Sequence, residues 1–314
     1  MTVKTFLNFT RIQTLPAGLL APLAGVMYSL WRFHSFHALT SLLFFIGMIA
    51  INLFVSAWNN LMDFRKAKDP EYKAHENILA TRHIPERLAW QICLGLLALD
   101  LVIGLVVSAL TNLAILPVGG VAFLIAVFYT YGPFAFSRFP LGEVLAGLCE
   151  GALSFFMAIY VNSFQMAYFA IYFDGWKMTW NWDFSVLLPI VLVAIGCFAQ
   201  NFNVMFSDNI CDLAQDVRNE RFTLPFYLTK ARALRLFWVP YSVAALSALT
   251  AILLGILPIF SLLMALIIPF VWRNTRRFRA NPVKSETFTL QVNTLMLFNG
   301  ALAATLLLGV LFHG

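Results

Sequence analysis

Apolar stretches of about 20 residues, each long enough for a helix to cross the hydrocarbon core of a bilayer, recur along this chain with only short polar loops between them. A soluble domain of 314 residues would spread polar side chains over its whole surface, whereas here 61% of residues are hydrophobic, 11% are charged and the mean hydropathy is +0.79. We place spans at 13–31, 38–60, 88–109, 112–131, 141–162, 184–206, 234–255, 257–272 and 288–312. The expected fold is all-α: a polytopic membrane bundle of about nine transmembrane helices, with 1–314 forming one integral membrane domain. The stretch 163–173 (FQMAYFAIYFD) either extends the fifth helix or lies along the interface. The residues up to about Leu15 run directly into an apolar stretch with no A-x-A pattern, which predicts a first span and not a removable signal peptide.

The basic residues orient the bundle. With the N-terminus inside, all of the 21 Lys and Arg fall on the cytoplasmic side except Arg32 and Lys177. This asymmetry predicts a cell-membrane protein with its N-terminus in the cytoplasm and its C-terminus outside. The net charge of +6 follows from the same loops, which also suit anionic lipid head groups, and the chain carries no nucleic-acid-binding module. In the outer loop DGWKMTWNWD, Trp176, Trp180 and Trp182 read as an aromatic belt. Cys93, Cys149, Cys197 and Cys211 have no metal-ligand spacing and read as reduced, small hydrophobic residues. Walker loops, GxSxG elbows and HExxH pairs are absent.

The acidic residues gather in two cytoplasmic loops. The first, 61–87, holds Asp63, Asp69, Glu71, Glu76 and Glu86, and because it continues the second span, Asn59 and Asp63 lie four apart on one helical face. The second, 207–233, holds Asp208, Asp212, Asp216 and Glu220, with the three Asp residues at i, i+4 and i+8. Like charges at that spacing cost roughly 0.2–0.5 kcal/mol per pair, a cost that a bound cation removes. Carboxylate and amide oxygens suit magnesium, which takes one or two carboxylates and completes its shell with water and phosphate oxygens. Each cluster alone is equally a solvated face with capping Asp residues balanced by nearby Arg and Lys. Two clusters on one side, at the ends of even-numbered spans and each followed by basic residues, favour a pair that grips a diphosphate. Inside the spans, Asp100, Glu143 and Glu150 also stand out, since a carboxylate in hydrocarbon is costly.

These residues resemble the UbiA superfamily of membrane-embedded aromatic prenyltransferases, and the resemblance covers most of the chain. Asn59, Asp63, Lys66 and Asp69 fit the spacing of a first motif N-D-x-x-D-x-x-x-G-x-D, that of the menaquinone-pathway members. Asp208, Asn209, Asp212, Asp216, Glu220, Arg221, Thr223 and Leu224 align with a second, N-N-x-R-D-x-x-x-D-x-x-x-G-K-x-T-L. The segments RIQTLPAGLLAPLAG and YTYGPFAFSRFPLGEVLAGLCEG are similar to further family stretches and place Tyr129, Gly132, Pro133, Gly142 and Glu143 on family positions. There are departures: Asn60 for Asp, Ala67 for Gly, Asp208 for Asn, Cys211 for Arg, Glu220 for Gly and Arg221 for Lys. In NILATRHI, Asn77 replaces Arg and Arg82 replaces Gly.

The resemblance implies nine helices and magnesium-dependent transfer of a polyprenyl group from a prenyl diphosphate to an aromatic acceptor, 1,4-dihydroxy-2-naphthoate in the members most like this chain. It implies a catalytic set of Asn59, Asp63, Asp212 and Asp216, a magnesium set of Asp63, Asp69, Asp208, Asp212 and Asp216, diphosphate contacts from Lys66, Arg82 and Arg221, and Tyr129 and Glu143 on the acceptor side. Other readings are the same fold with another acceptor such as 4-hydroxybenzoate, a chlorin, haem or a homogentisate-like ring, a non-catalytic binder of lipid diphosphates, and an ion-coupled transporter. Gathering of the acids at one membrane face counts against the transporter.

Overall fold

The computed structural model describes residues 1–68 and 72–313. A short helix, Val3–Phe9, precedes nine helical runs. They are α1 (Ile12–Phe33), α2 (Ala38–Lys66), α3 (Glu86–Leu110), α4 (Ile115–Phe128), α5 (Gly142–Met166), α6 (Phe184–Arg218), α7 (Lys230–Leu253), α8 (Ile259–Ala280) and α9 (Phe288–Phe312). Among the described residues, eight of these are long and apolar enough to cross a membrane. The exception is α4, 14 residues long, where a span over 112–131 was expected. The chain leaves the helix at Tyr129 and turns through Gly132 at φ +84°.

Helix length explains where the acidic clusters stand. At about 1.5 Å per residue, the 29 residues of α2 and the 35 of α6 reach about 43 and 52 Å, well beyond a hydrocarbon core of about 30 Å. Their C-terminal turns, Asn59–Lys66 and Asp208–Arg218, therefore overshoot at the same end of the bundle. Arg65, Lys66 and Arg218 in the last turns complement the helix dipoles.

Large apolar side chains cover the outside, including Leu99, Val102 and Val106 on α3 and Leu246, Leu249 and Leu253 on α7. That surface is stable only against lipid. Inside, α1, α5, α6 and α9 enclose a core around Tyr28, Phe155, Ile190 and Leu306. Small residues let the central helices touch, as is usual where lipid removes the hydrophobic drive for helix association. A Cβ on Gly25 of α1 would stand 2.5 Å from the Phe155 carbonyl oxygen of α5, and one on Gly151 of α5 would stand 2.5 Å from the Cys197 carbonyl oxygen of α6.

Of the stretch 163–173, residues up to Met166 extend α5, and the rest turns into a strand. The segment after α5 forms a hairpin, β1 (Phe169–Asp174) antiparallel to β2 (Lys177–Trp182), in register from Phe169 opposite Trp182 to Asp174 opposite Lys177. Gly175, at φ +58°, makes the tight turn. The Asn112 amide donates to the Ile171 carbonyl (3.1 Å) and accepts from its N–H (2.8 Å), satisfying an edge that would otherwise be unpaired. Alternating polar and aromatic residues in KMTWNW carry this signal, but apolar flanks on both sides conceal it. The Trp belt expected here sits on this hairpin, where Trp180 and Trp182 stack 5.7 Å apart.

Candidate active site

The first cluster is built on the last two turns of α2. Asn59 Oδ1 accepts a hydrogen bond from Thr130 Oγ1 (3.1 Å), and Lys66 Nζ donates to the Thr130 and Gly132 carbonyls (2.8 and 2.9 Å), so the loop after α4 is tied down beside them. Asp63, half-buried, lies within electrostatic reach of Lys66, Arg138 and Arg221. Asp69, an expected metal ligand, lies outside the described residues. Arg82 caps the C-terminus of the short helix Ile78–Thr81 and is exposed. No hydrogen bond or ion pair engages its side chain among the described residues.

Two of the departures from the family pattern have a shared structural reason. Asn60 Oδ1 accepts from the Arg11 guanidinium (2.7 Å) while Asn60 Nδ2 donates to the Phe9 carbonyl (2.8 Å). A carboxylate could do only the first. Asn77 donates to the Asn60 carbonyl (3.0 Å) and accepts from the Leu79 N–H (2.9 Å), capping the next helix. Both amides therefore hold the N-terminal helix and the loop after α2 onto the bundle.

On α6, the second cluster is shared between two basic side chains. Lys284, from the loop between α8 and α9, bridges Asp208 (2.9 Å) and Asp212. Burial alone lowers the basicity of the Lys284 amine, but the Asp208 and Asp212 carboxylates outweigh it and hold its pKa above the ordinary range. Asp216, one turn further on, pairs with Arg221 (3.4 Å), and its second oxygen is buried without a hydrogen-bond partner among the described residues. Arg221 is likewise held above its ordinary range: desolvation opposes the charge, and Asp216 and then Asp63 more than restore it. Its Nε is buried with no acceptor among the described residues. Arg138 is shifted the other way, by burial and by the like charge of Arg221.

The two clusters are stapled together. The Lys68 N–H donates to Asn219 Oδ1 (3.1 Å), Lys68 pairs with Glu220, and Gln215 Nε2 donates to Glu76 Oε2 (3.0 Å). Arg138 donates to the Asn219 carbonyl (3.1 Å) and accepts at its own carbonyl from the Phe222 N–H (2.9 Å), binding the loop after α4 to the turn after α6. Glu143, expected on the acceptor side, is fully buried beneath the second cluster. Its Oε1 accepts from Asn209 Nδ2 (2.7 Å), and it supports that helix from below.

Among the described residues, no three acidic, His or Cys side chains converge closely enough to hold one ion. The donor set nevertheless fits magnesium. Asp208 and Asp212 already converge on a cation, the Lys284 ammonium; Asp216 has an orphaned buried oxygen; and two carboxylates are the usual protein share of a magnesium shell. Sequence reasoning did not single out Lys284 or Arg138. Lys284 is 72 residues from Asp212, and no local spacing announces such a pairing.

Below the clusters lies a cavity of about 420 Å³. Arg11, Asn59, Tyr129, Glu150 and Asn201 are among its polar lining residues. Tyr129 donates to the Gly142 carbonyl (3.2 Å). Asp100, on α3, also lines it, and a Cβ on Gly47 of α2 would stand 3.4 Å from the Asp100 carboxylate. The rest of the wall is mainly apolar.

The fold defines the class first: a polytopic membrane helix bundle, with acidic side chains at the ends of its two longest helices and a largely apolar cavity between its helices. The particular family follows from sequence: the UbiA prenyltransferase family matches residues 19–311, and the chain belongs to it. It is 22% identical over 254 residues to the 1,4-dihydroxy-2-naphthoate octaprenyltransferase of Bacillus subtilis, covering 79% of this chain and 73% of that protein. Its fold is similar to the apo structure of a UbiA homologue from Aeropyrum pernix K1 (TM-score 0.70, 18% identity, 92% of this chain and 97% of that one). It is also similar to a UbiA homologue from Archaeoglobus fulgidus bound to GPP and Mg2+ (TM-score 0.67, 15% identity, 98% and 99% covered).

Proposed function

We propose that the protein transfers a polyprenyl group from a prenyl diphosphate to 1,4-dihydroxy-2-naphthoate, at the cytoplasmic face of the cell membrane. The observation that carries this reading is the stapling of the α2 and α6 carboxylate clusters over a largely apolar cavity, which gives a diphosphate and its hydrocarbon tail adjoining sites. The Bacillus subtilis relative supports the choice of acceptor, and the basic residues at the cluster end support a cytoplasmic orientation.

Asp63, Asp208, Asp212 and Asp216, with Asp69, would hold magnesium, whose charge stabilises the departing diphosphate. Arg221 pairs with Asp216 and lies within electrostatic reach of Asp63, and its guanidinium would offer a donor to a diphosphate oxygen. Lys66, fixed on two carbonyls, keeps a positive charge beside the same site. Contacts between the two cluster ends would help to limit water, which would otherwise capture an allylic cation. The apolar wall receives the tail, and the aromatic acceptor enters beside Tyr129.

The test is purified protein in detergent with magnesium, a long-chain prenyl diphosphate and 1,4-dihydroxy-2-naphthoate, following prenylated product by mass spectrometry. Product from wild type, and none from Asp63→Ala or Asp212→Ala, supports the reading. No product from any aromatic acceptor, with no magnesium-dependent diphosphate binding, sinks it.

A further inference from the structure

Glu150 stands apart from both Asp clusters, inside the helical bundle. It belongs to a π-helical segment of α5, Gly147–Leu153, a wider turn that often marks functional positions. That segment is pressed against α6: a Cβ on Gly147 would lie 2.9 Å from the Phe198 carbonyl oxygen, and one on Gly151 2.5 Å from that of Cys197. The contact fixes the rotation of the helix, and Glu150 lines the cavity and is exposed there.

The surroundings of this carboxyl group define what is missing. Ser154 Oγ donates to the main-chain carbonyl of Glu150 (2.6 Å), but among the described residues no hydrogen bond or ion pair engages its side chain. Tyr129, which lines the same cavity, lies within electrostatic reach of Glu150 and also of Asp208 and Arg221 at the acidic end. Glu150 is seven residues along the helix from Glu143, about 10 Å. A carboxyl group held in a membrane span is costly unless a partner meets it. The prenyl tail offers only hydrocarbon, and the diphosphate offers oxygens that accept hydrogen bonds. Of the two substrates, the acceptor is the one that supplies a hydrogen-bond donor to a carboxylate, and a phenolic hydroxyl on an aromatic ring is such a donor.

We propose that Glu150 binds the acceptor by accepting a hydrogen bond from a ring hydroxyl, and so selects aromatic acceptors that carry a free O–H over their ethers. This rests on the prenyl-transfer reading and adds to it the feature by which the acceptor is chosen. A site built to bond a hydroxyl discriminates strongly against an analogue lacking it, because its own polar group is then left unpaired.

The experiment compares wild type, Glu150→Leu and Glu150→Gln with 1,4-dihydroxy-2-naphthoate and its two monomethyl ethers, measuring kcat/KM for each acceptor, KM for the prenyl diphosphate and manganese binding by electron paramagnetic resonance. Wild type should prefer the free dihydroxy acceptor to at least one ether by about tenfold or more. Glu150→Leu should raise the acceptor KM about tenfold and abolish that preference, with prenyl diphosphate KM and manganese affinity unchanged. Glu150→Gln, which keeps the side-chain volume and can also donate to an ether oxygen, should narrow the preference, and it serves if the Leu variant does not fold. If active variants keep the wild-type hydroxyl-to-ether ratio, Glu150 has no such role and prenyl transfer stands. If wild type prenylates none of these acceptors, the naphthoate reading falls, and this proposal with it.

Discussion

Lys284 Nζ lies 2.9 Å from the Asp208 carboxylate and also meets Asp212, so a loop lysine closes the face of α6 on which two acidic side chains stand four residues apart. The ammonium relieves a repulsion that a divalent ion would relieve more completely. Replacing it should therefore separate apo stability from metal affinity. Lys284→Met is expected to lower the thermal stability of metal-free protein, by about 1 kcal/mol given that Lys284 is half exposed, and to tighten manganese binding several-fold. The pH dependence follows from the raised pKa of Lys284. Its contribution is present in full below the ordinary lysine pKa of about 10.4 and is lost only as pH rises through the higher folded-state value. The stability gap between wild type and variant should therefore be flat from about pH 7 to 9 and should close in strong alkali. A gap that closes between pH 7 and 9 would refute the assignment.

Arg221 and Asp216 form a pair of a different kind, since the Asp216 side chain is only 4% exposed. Removing one partner of a buried pair leaves an uncompensated charge, which typically costs about 3–5 kcal/mol. Arg221→Met should destabilise the protein by about 3 kcal/mol in thermal or denaturant unfolding, and adding Asp216→Asn should recover part of that loss. Equal destabilisation by the single and double variants would show that the arginine acts through packing alone. Arg221→Lys keeps the charge without the fork, and should retain stability better than diphosphate affinity.

Much of this arrangement was legible in the sequence because it rests on local regularities. The apolar runs gave the spans, and the spacing of Asp208, Asp212 and Asp216 gave a single helical face. The overshoot of α2 and α6 past the bilayer is implied by apolar runs that end several residues before each helix does. What escaped was long-range. Glu143 reads as a costly carboxylate within a span until Asn209 is seen to donate to it, and Lys284 reads as one more orienting charge until its loop folds back on α6. The hairpin at 169–182 escaped for another reason: its buried half, Phe169–Ile171, is as apolar as the helix before it, so composition could not separate strand from span.

Helix contact in the bundle depends on the absence of particular side chains. A methyl group at Gly151 would meet the Cys197 main-chain carbonyl, which has no rotamer with which to move aside. Gly151→Ala should cost about 2 kcal/mol or more through overpacking. At Gly120, where nothing lies within 4 Å of the added carbon, the same change should be neutral or stabilise by up to about 1 kcal/mol, because alanine loses less backbone freedom in a helix. Thermal unfolding of the two variants in detergent decides this, and equal shifts would mean that α5 and α6 do not pack so closely.

Glu143 supports the second Asp cluster by hydrogen bonding, and this makes a conservative and a disruptive substitution diverge. Glutamine keeps an oxygen to accept from Asn209 Nδ2, where the present bond is 2.7 Å. Its new N–H group takes the place of Oε2, which has no partner among the described residues. Leucine would leave the Asn209 amide buried and unpaired, a penalty of about 1–3 kcal/mol, in the turn that follows Asp208. Glu143→Gln should therefore fold with nearly wild-type stability, while Glu143→Leu should lose about 2 kcal/mol and weaken manganese binding through displacement of the α6 cluster. Measured by thermal unfolding and by manganese titration, the two effects should move together along the series. A Leu variant that loses activity with stability and metal affinity intact would instead return Glu143 to the acceptor side, where the sequence first placed it.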